Sequence, residues 1–205
     1  MKRPGSIDLV ALQVKIVFSH AVRTVALLNL SYFLVEFAVA AAIGSVSLFA
    51  DSIDFLEDAS INALILIALG WSAPRRAVVS KVLAGIILIP GLATLWMAWE
   101  KLTFPVPPSP VPLSLTAIGA LLINFACALL LARVRHHGGS LGLAAFLSAR
   151  NDVLANAAII LAGLITGYTY SAWPDLIVGL GIAALNAGAA GEVYRAAAKE
   201  TDARP

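Results

Sequence analysis

Residues 46–69 read VSLFADSIDFLEDASINALILIAL, and this stretch decides what kind of fold the chain has. It is long enough to cross a hydrocarbon core, which takes roughly 20 apolar residues at 1.5 Å each. Yet it carries Asp51, Asp54, Glu57 and Asp58, four of the twelve acids in the chain. A charge at mid-membrane costs about 2.5–3.5 kcal/mol on insertion scales. A helix with four of them is badly handicapped unless they have a use. Their spacing orders them. At about 100° per residue, Asp54 and Asp58 lie about 40° apart and Asp51 about 20° from Asp58. These three form one stripe, which Asn62 extends. Glu57 sits on the other flank of Asp54, about 60° away.

The surrounding sequence has the same character. Of 205 residues, 60% are hydrophobic and 13% charged, and the mean hydropathy is +0.90. A soluble domain carries about 25% charged residues, so a soluble enzyme and a disordered chain are excluded. Cys127 is the single cysteine, so no internal disulfide exists, and a disulfide-stapled secreted fold is excluded as well. A net charge of +2 is too small to suggest nucleic acid. Six apolar runs are legible, at 24–43, 46–69, 78–99, 113–132, 141–166 and 176–193. Gly44-Ser45 is a tight turn and residues 71–76 form a short basic loop. Pro105, Pro107, Pro108, Pro110 and Pro112 read as a stiff extended loop that cannot be helix. Residues 133–139 form a second basic loop. Residues 167–174, with Tyr168, Tyr170 and Trp173, read as an interfacial aromatic turn. Residues 1–23 show no cleavable signal peptide. Ile7, Val10, Ala11, Val14 and Val17 recur there at helical spacing, which predicts an interfacial helix leading into the first span.

The expected architecture is therefore an all-α membrane protein with six transmembrane helices. A cytoplasmic or interfacial segment (1–23) precedes the membrane domain (24–193), and a short cytoplasmic tail (194–205) follows it. Twelve of the fourteen Lys and Arg fall on one side and Lys101 alone on the other. By the positive-inside rule both termini are cytoplasmic.

The fifth run repeats the polar theme, with Ser148, Asp152 and Asn156 at i, i+4 and i+8 on one face. Arg150 and Asn151 point elsewhere. The first run places Asn29 and Glu36 seven apart on one face, and the fourth holds Asn124. Oxygens converging from two helices are what a divalent cation needs when it sheds its water. The alternative is a structural hydrogen-bond network between spans. Cys127 reads as a small core residue. Gly179, Gly181, Gly188 and Gly191 in the sixth run read as close helix packing. His136 and His137 sit in the second basic loop, where they either collect metal or are simply solvated.

Residues 44–58, Gly-Ser-Val-Ser-Leu-Phe-Ala-Asp-Ser-Ile-Asp-Phe-Leu-Glu-Asp, resemble the second span of the cation diffusion facilitator (cation efflux) family. That family's pattern runs Gly-Ser, small and apolar residues, Ala-Asp, then His or Asp, three residues, and Asp. Asp54 and Asp58 match its two ligand positions. Asn29 through Glu36 is similar to the family's Asn-x6-Glu in the first span. Residues 146–156, Phe-Leu-Ser-Ala-Arg-Asn-Asp-Val-Leu-Ala-Asn, resemble its Phe-Leu-His-x3-Asp run, with Asp152 on the Asp. Trp173-Pro-Asp175 and Glu100 also fit, so the resemblance covers roughly residues 21–195. Ser148 departs from it, standing where the family has His, or Asp in manganese-type members. The chain also stops about ten residues after the sixth run. The resemblance then implies a short form lacking the C-terminal cytoplasmic domain, and any homodimer is expected to be weak.

What the resemblance implies is a secondary transporter in the cell (inner) membrane. It would export a divalent cation of the zinc, manganese, iron or cobalt class from the cytoplasm, in exchange for protons. The implied metal residues are Asp54, Asp58, Asp152 and Ser148. Asp51, Glu57, Asn62, Asn151, Asn156 and Glu36 are accessory or proton-coupling candidates. No cofactor is expected to be permanently bound; metal and protons are the substrates and the lipid bilayer is the surroundings. Two other readings are weighed. A degenerate paralogue that has lost transport is one. A metal-dependent phosphoalcohol transferase is the other, but its Asp-Gly signature is absent from the chain.

Overall fold

The first helix has nothing to stop it before Gly44, since residues 6–43 contain neither Gly nor Pro. The structure, a computed structural model, describes residues 4–68, 78, 92–134 and 139–186. In it α1 runs unbroken over Pro4–Ile43. The helix expected to lead into the first span is continuous with it from residue 4. Gly44 takes the left-handed conformation, φ 65°, and the Ser45 amide bonds back to Ala40 O at 3.1 Å. This is the Schellman closure that glycine permits. α2 follows at once, Val46–Ala68.

The next helix, α3, is described over 92–103 and passes the expected end of the third run before Pro105 halts it. α4 spans Pro110–Val134. The proline loop is accordingly shorter than expected. Pro110 and Pro112 lie in the first turn of α4, where a missing N–H leaves no helical bond unmade. α5 spans Gly139–Thr169, so the aromatic turn shrinks to 170–172, with Tyr170 left-handed at φ 53°. α6 is described over Trp173–Asn186. The first basic loop, most of the third run, His136, His137, Gly188, Gly191 and the tail lie outside the described residues. Every described element is helical, and none is a strand.

Ile16–Ile43, Pro110–Val134 and Ser148–Thr169 are each long and apolar enough to cross a membrane. α2 matches them in length, and its four acids are what set its composition apart. The packing is the reverse of a soluble protein's. Leu27, Leu34, Leu115, Leu122, Leu154 and Leu161 are exposed, while Asn29, Glu36, Asp51 and Asn156 are fully buried. Only a lipid-facing surface makes that distribution favourable.

Two apolar clusters brace the bundle. One joins Phe18, Val22, Ile65, Cys127, Leu131 and Ala149. The other joins Ala40, Leu48, Phe49, Leu113, Ile159 and Ile182. Along α1, α2 and α5 most of the buried acids and amides fall between them, while Asp51 lies beside Ala50 and Ile53 of the second cluster. Gly179 lets α6 lie against the start of α2, because a Cβ there would come 2.7 Å from Ser47 N and the Val46 carbonyl carbon. At Gly181 an added Cβ would meet no atom within 4 Å among the described residues.

Candidate metal centre

α2 is antiparallel to both α1 and α5, and this turns three sequence stripes into three tiers. Going from residue 29 to 36 in α1, 58 to 51 in α2 and 148 to 156 in α5 climbs about 10–12 Å in the same direction. Each tier draws on more than one of these helices.

The first tier centres on Asp58, buried in α2. Ser148 Oγ donates to its Oδ1 at 3.1 Å, and Asn29 Nδ2 donates to its Oδ2 at 3.3 Å. Cys127 Sγ in turn donates to Asn29 Oδ1 at 3.5 Å. A thiol is a weak donor, but at this position it fixes which end of the Asn29 amide faces Asp58. Asn62, one turn along α2, donates to Asp58 O at 2.8 Å.

The second tier is the contact between Asp54 and Asp152, whose carboxyl groups lie within hydrogen-bond reach of each other. Asn186 of α6 reaches the same place. With its amide nitrogen turned that way it donates to Asp54 Oδ1 at 3.3 Å and to Ile182 O at 3.2 Å. Glu57 is buried beside Asp54 and Asp58.

The third tier brings Glu36 and Asp51 face to face within hydrogen-bond reach. Asn156 Nδ2 donates to Asp51 Oδ1 at 3.4 Å and to Asp152 O at 2.7 Å. It thereby ties this tier to the second.

Among the described residues, no three Asp, Glu, His or Cys side chains are gathered closely enough to hold a metal ion. The three expected ligand carboxylates are split between neighbouring contacts, Asp54 with Asp152 and Asp58 with Ser148 and Asn29. A divalent ion would have to draw the two together, since its ligand bonds are about 2.0–2.6 Å long. Asn151 is not brought in. It is exposed on α5 and accepts from Arg150 Nη2 at 3.5 Å.

The electrostatics are lopsided. Glu36, Asp51, Asp54, Glu57, Asp58 and Asp152 line the bundle interior, and among the described residues no Lys or Arg pairs with any of them. Two like charges 4 Å apart repel by about 4 kcal/mol at an effective dielectric of 20.

The one described ion pair is elsewhere, and the sequence reading missed its purpose. Lys101 Nζ meets Asp175 Oδ2 at 2.8 Å, with both side chains buried. Asp175 also accepts from Val46 N at 3.0 Å, Ser47 N at 3.2 Å, Ser45 Oγ at 2.7 Å and Ser47 Oγ at 2.6 Å. Ser45 Oγ accepts from Leu48 N at 3.2 Å, and Lys101 Nζ donates to Gly44 O. The first amides of α2 are thus capped by a carboxylate from α6, placed where the helix dipole favours an anion. The signal was present in Lys101, the lone cation of its side.

A surface depression of about 610 Å³ between the α1–α2 turn and α3, lined among others by Gly44, Trp96, Trp99 and Lys101, touches none of the tiers.

The model of the cation efflux transmembrane domain matches residues 22–200. The chain belongs to the cation efflux family. No curated protein matches the chain. Membership makes this an integral membrane protein and a cation transporter of the cation diffusion facilitator kind, with a metal cation as its substrate. Members of that family are transporters and not enzymes.

Proposed function

We propose that this cation efflux protein exports a divalent metal ion from the cytoplasm in exchange for protons, with both termini cytoplasmic. Asp54, Asp58, Asp152 and Ser148 form its central site. The observation that carries this reading is a set of five buried carboxyl groups and the half-buried Asp54 that, among the described residues, have no cationic partner. Carboxylates in such a place hold either a metal ion or protons, and exchanging one for the other is antiport. Rocking of the helices would expose the site to each side in turn. Proteoliposomes loaded with a metal-sensitive dye test this. A pH gradient should drive metal flux and collapse as metal moves. A sealed, folded preparation with no metal-dependent proton movement would instead identify a degenerate, non-transporting protein.

Selectivity follows from position 148. Zinc prefers imidazole and thiolate, whereas carboxylate, carbonyl and water suit magnesium and manganese. The Ser148 hydroxyl lies against Asp58 and offers only oxygen. The raw affinity order still favours zinc, so the expectation is a reduced zinc-to-manganese ratio and not a reversal. Ser148→His supplies a nitrogen one turn from Asp152 and should raise that transport ratio by about tenfold, the effect of roughly 1.4 kcal/mol. A ratio that stays level or falls would place residue 148 away from the metal.

A further inference from the structure

The third tier has more acceptors than donors. Glu36, Asp51 and Asn156 are each 0% exposed. Yet Glu36 Oε1 and Oε2, Asp51 Oδ2 and Asn156 Oδ1 have no hydrogen-bond partner among the described residues. Four orphaned oxygens in one buried place call for an explanation, because buried polar atoms are nearly always paired. Among the described residues, three donors have the following partners. Tyr32 OH donates to Thr116 O at 2.7 Å. Asn156 Nδ2 serves Asp152 O and Asp51 Oδ1, and Lys101 is bound to Asp175.

We propose that Glu36, Asp51 and Asn156 form a second cation site, made only of oxygen, one helical turn from Asp54 and Asp152 and separate from them. A single proton shared by Glu36 and Asp51 makes one hydrogen bond and satisfies two of the four oxygens. A metal ion takes all four. Two carboxylates balance one divalent charge, and an amide carbonyl completes a set suited to hard ions of the magnesium, calcium and manganese class. Because the ligands come from α1, α2 and α5, an ion here would tie α1 to the helix pair carrying the central site. The tier stands on its own orphaned atoms. Only its place on a transport path rests on the function proposed above.

The test is Mn²⁺ binding to the purified full-length chain, measured by equilibrium dialysis and by electron paramagnetic resonance. The wild-type chain should bind two Mn²⁺. Asp54→Asn/Asp152→Asn should lose one and keep one, and Glu36→Gln/Asp51→Asn should lose the one that the first variant keeps. The kept ion should be displaced by Ca²⁺ and show no nitrogen coupling. The first variant leaves Glu36 and Asp51 untouched, so a folding failure of the second does not empty the test. The proposal is overturned if Asp54→Asn/Asp152→Asn binds no Mn²⁺. That result would mean Glu36 and Asp51 share protons only. Failure of the central site looks different, because Asp54→Asn/Asp152→Asn would then bind as many ions as wild type.

Discussion

Asp54→Ala and Asp152→Ala should each lower metal flux in proteoliposomes by about 100-fold or more while leaving the protein folded. Losing a residue that merely orients a metal ligand costs about 10–100-fold in affinity or activity, and these two carboxyl groups are proposed as ligands themselves. The stability readout should move the other way. Asp54 and Asp152 face each other and, among the described residues, neither pairs with a Lys or Arg, so in the metal-free protein removing either should relieve repulsion. Metal-free variants should unfold at or above the wild-type temperature. What they should lose is stabilisation by added metal, about 2.7 kcal/mol at a concentration 100 times the dissociation constant. A variant that transports normally, or that is still stabilised by metal as wild type is, would remove its residue from the centre. Asp152→Asn serves as the shape-preserving control and should behave like Asp152→Ala.

Asp175→Ala should be the most destabilising single change in the described structure. It strips a buried lysine of its carboxylate and uncaps α2 at Val46 and Ser47. Breaking a buried pair by removing one partner costs about 3–5 kcal/mol, and each orphaned buried amide adds about 1–3 kcal/mol. For a chain of this size that is a fall of about 10 °C or more in thermal midpoint. Lys101→Met/Asp175→Leu separates the two contributions. The pair itself can be replaced by apolar groups at little cost, but a leucine cannot accept from the α2 amides. The double variant should therefore recover only part of the loss. Recovery to the wild-type midpoint would mean that the cap contributes nothing; a shift under about 2 °C for Asp175→Ala would mean that the whole cluster is dispensable.

Much of this protein is settled by interactions that lie close together along the chain. Helix geometry repeats every 3.6 residues, so a stripe such as Asp51, Asp54, Asp58 and Asn62, or Ser148, Asp152 and Asn156, is legible without any tertiary knowledge. Bilayer thickness does the same for the apolar runs, and the Gly44 turn is read from a single residue that tolerates a positive φ. Composition alone excluded a soluble fold. Other features depend on which helices meet and in what register, and spacing along one helix carries no information about that. Asn29 meets Asp58 and Ser148 meets Asp58 only because α2 runs against α1 and α5. Asn186 reaches Asp54 from a helix whose sequence carries no acidic stripe. Asp175 caps amides 128 and 129 positions away, where no local pattern can point. The division of the acids into an Asp54–Asp152 pair and a Glu36–Asp51 tier with orphaned oxygens among the described residues is likewise decided by tertiary structure. A periodicity shows which residues share a face; only packing decides which of the facing atoms find a partner and which are left without one.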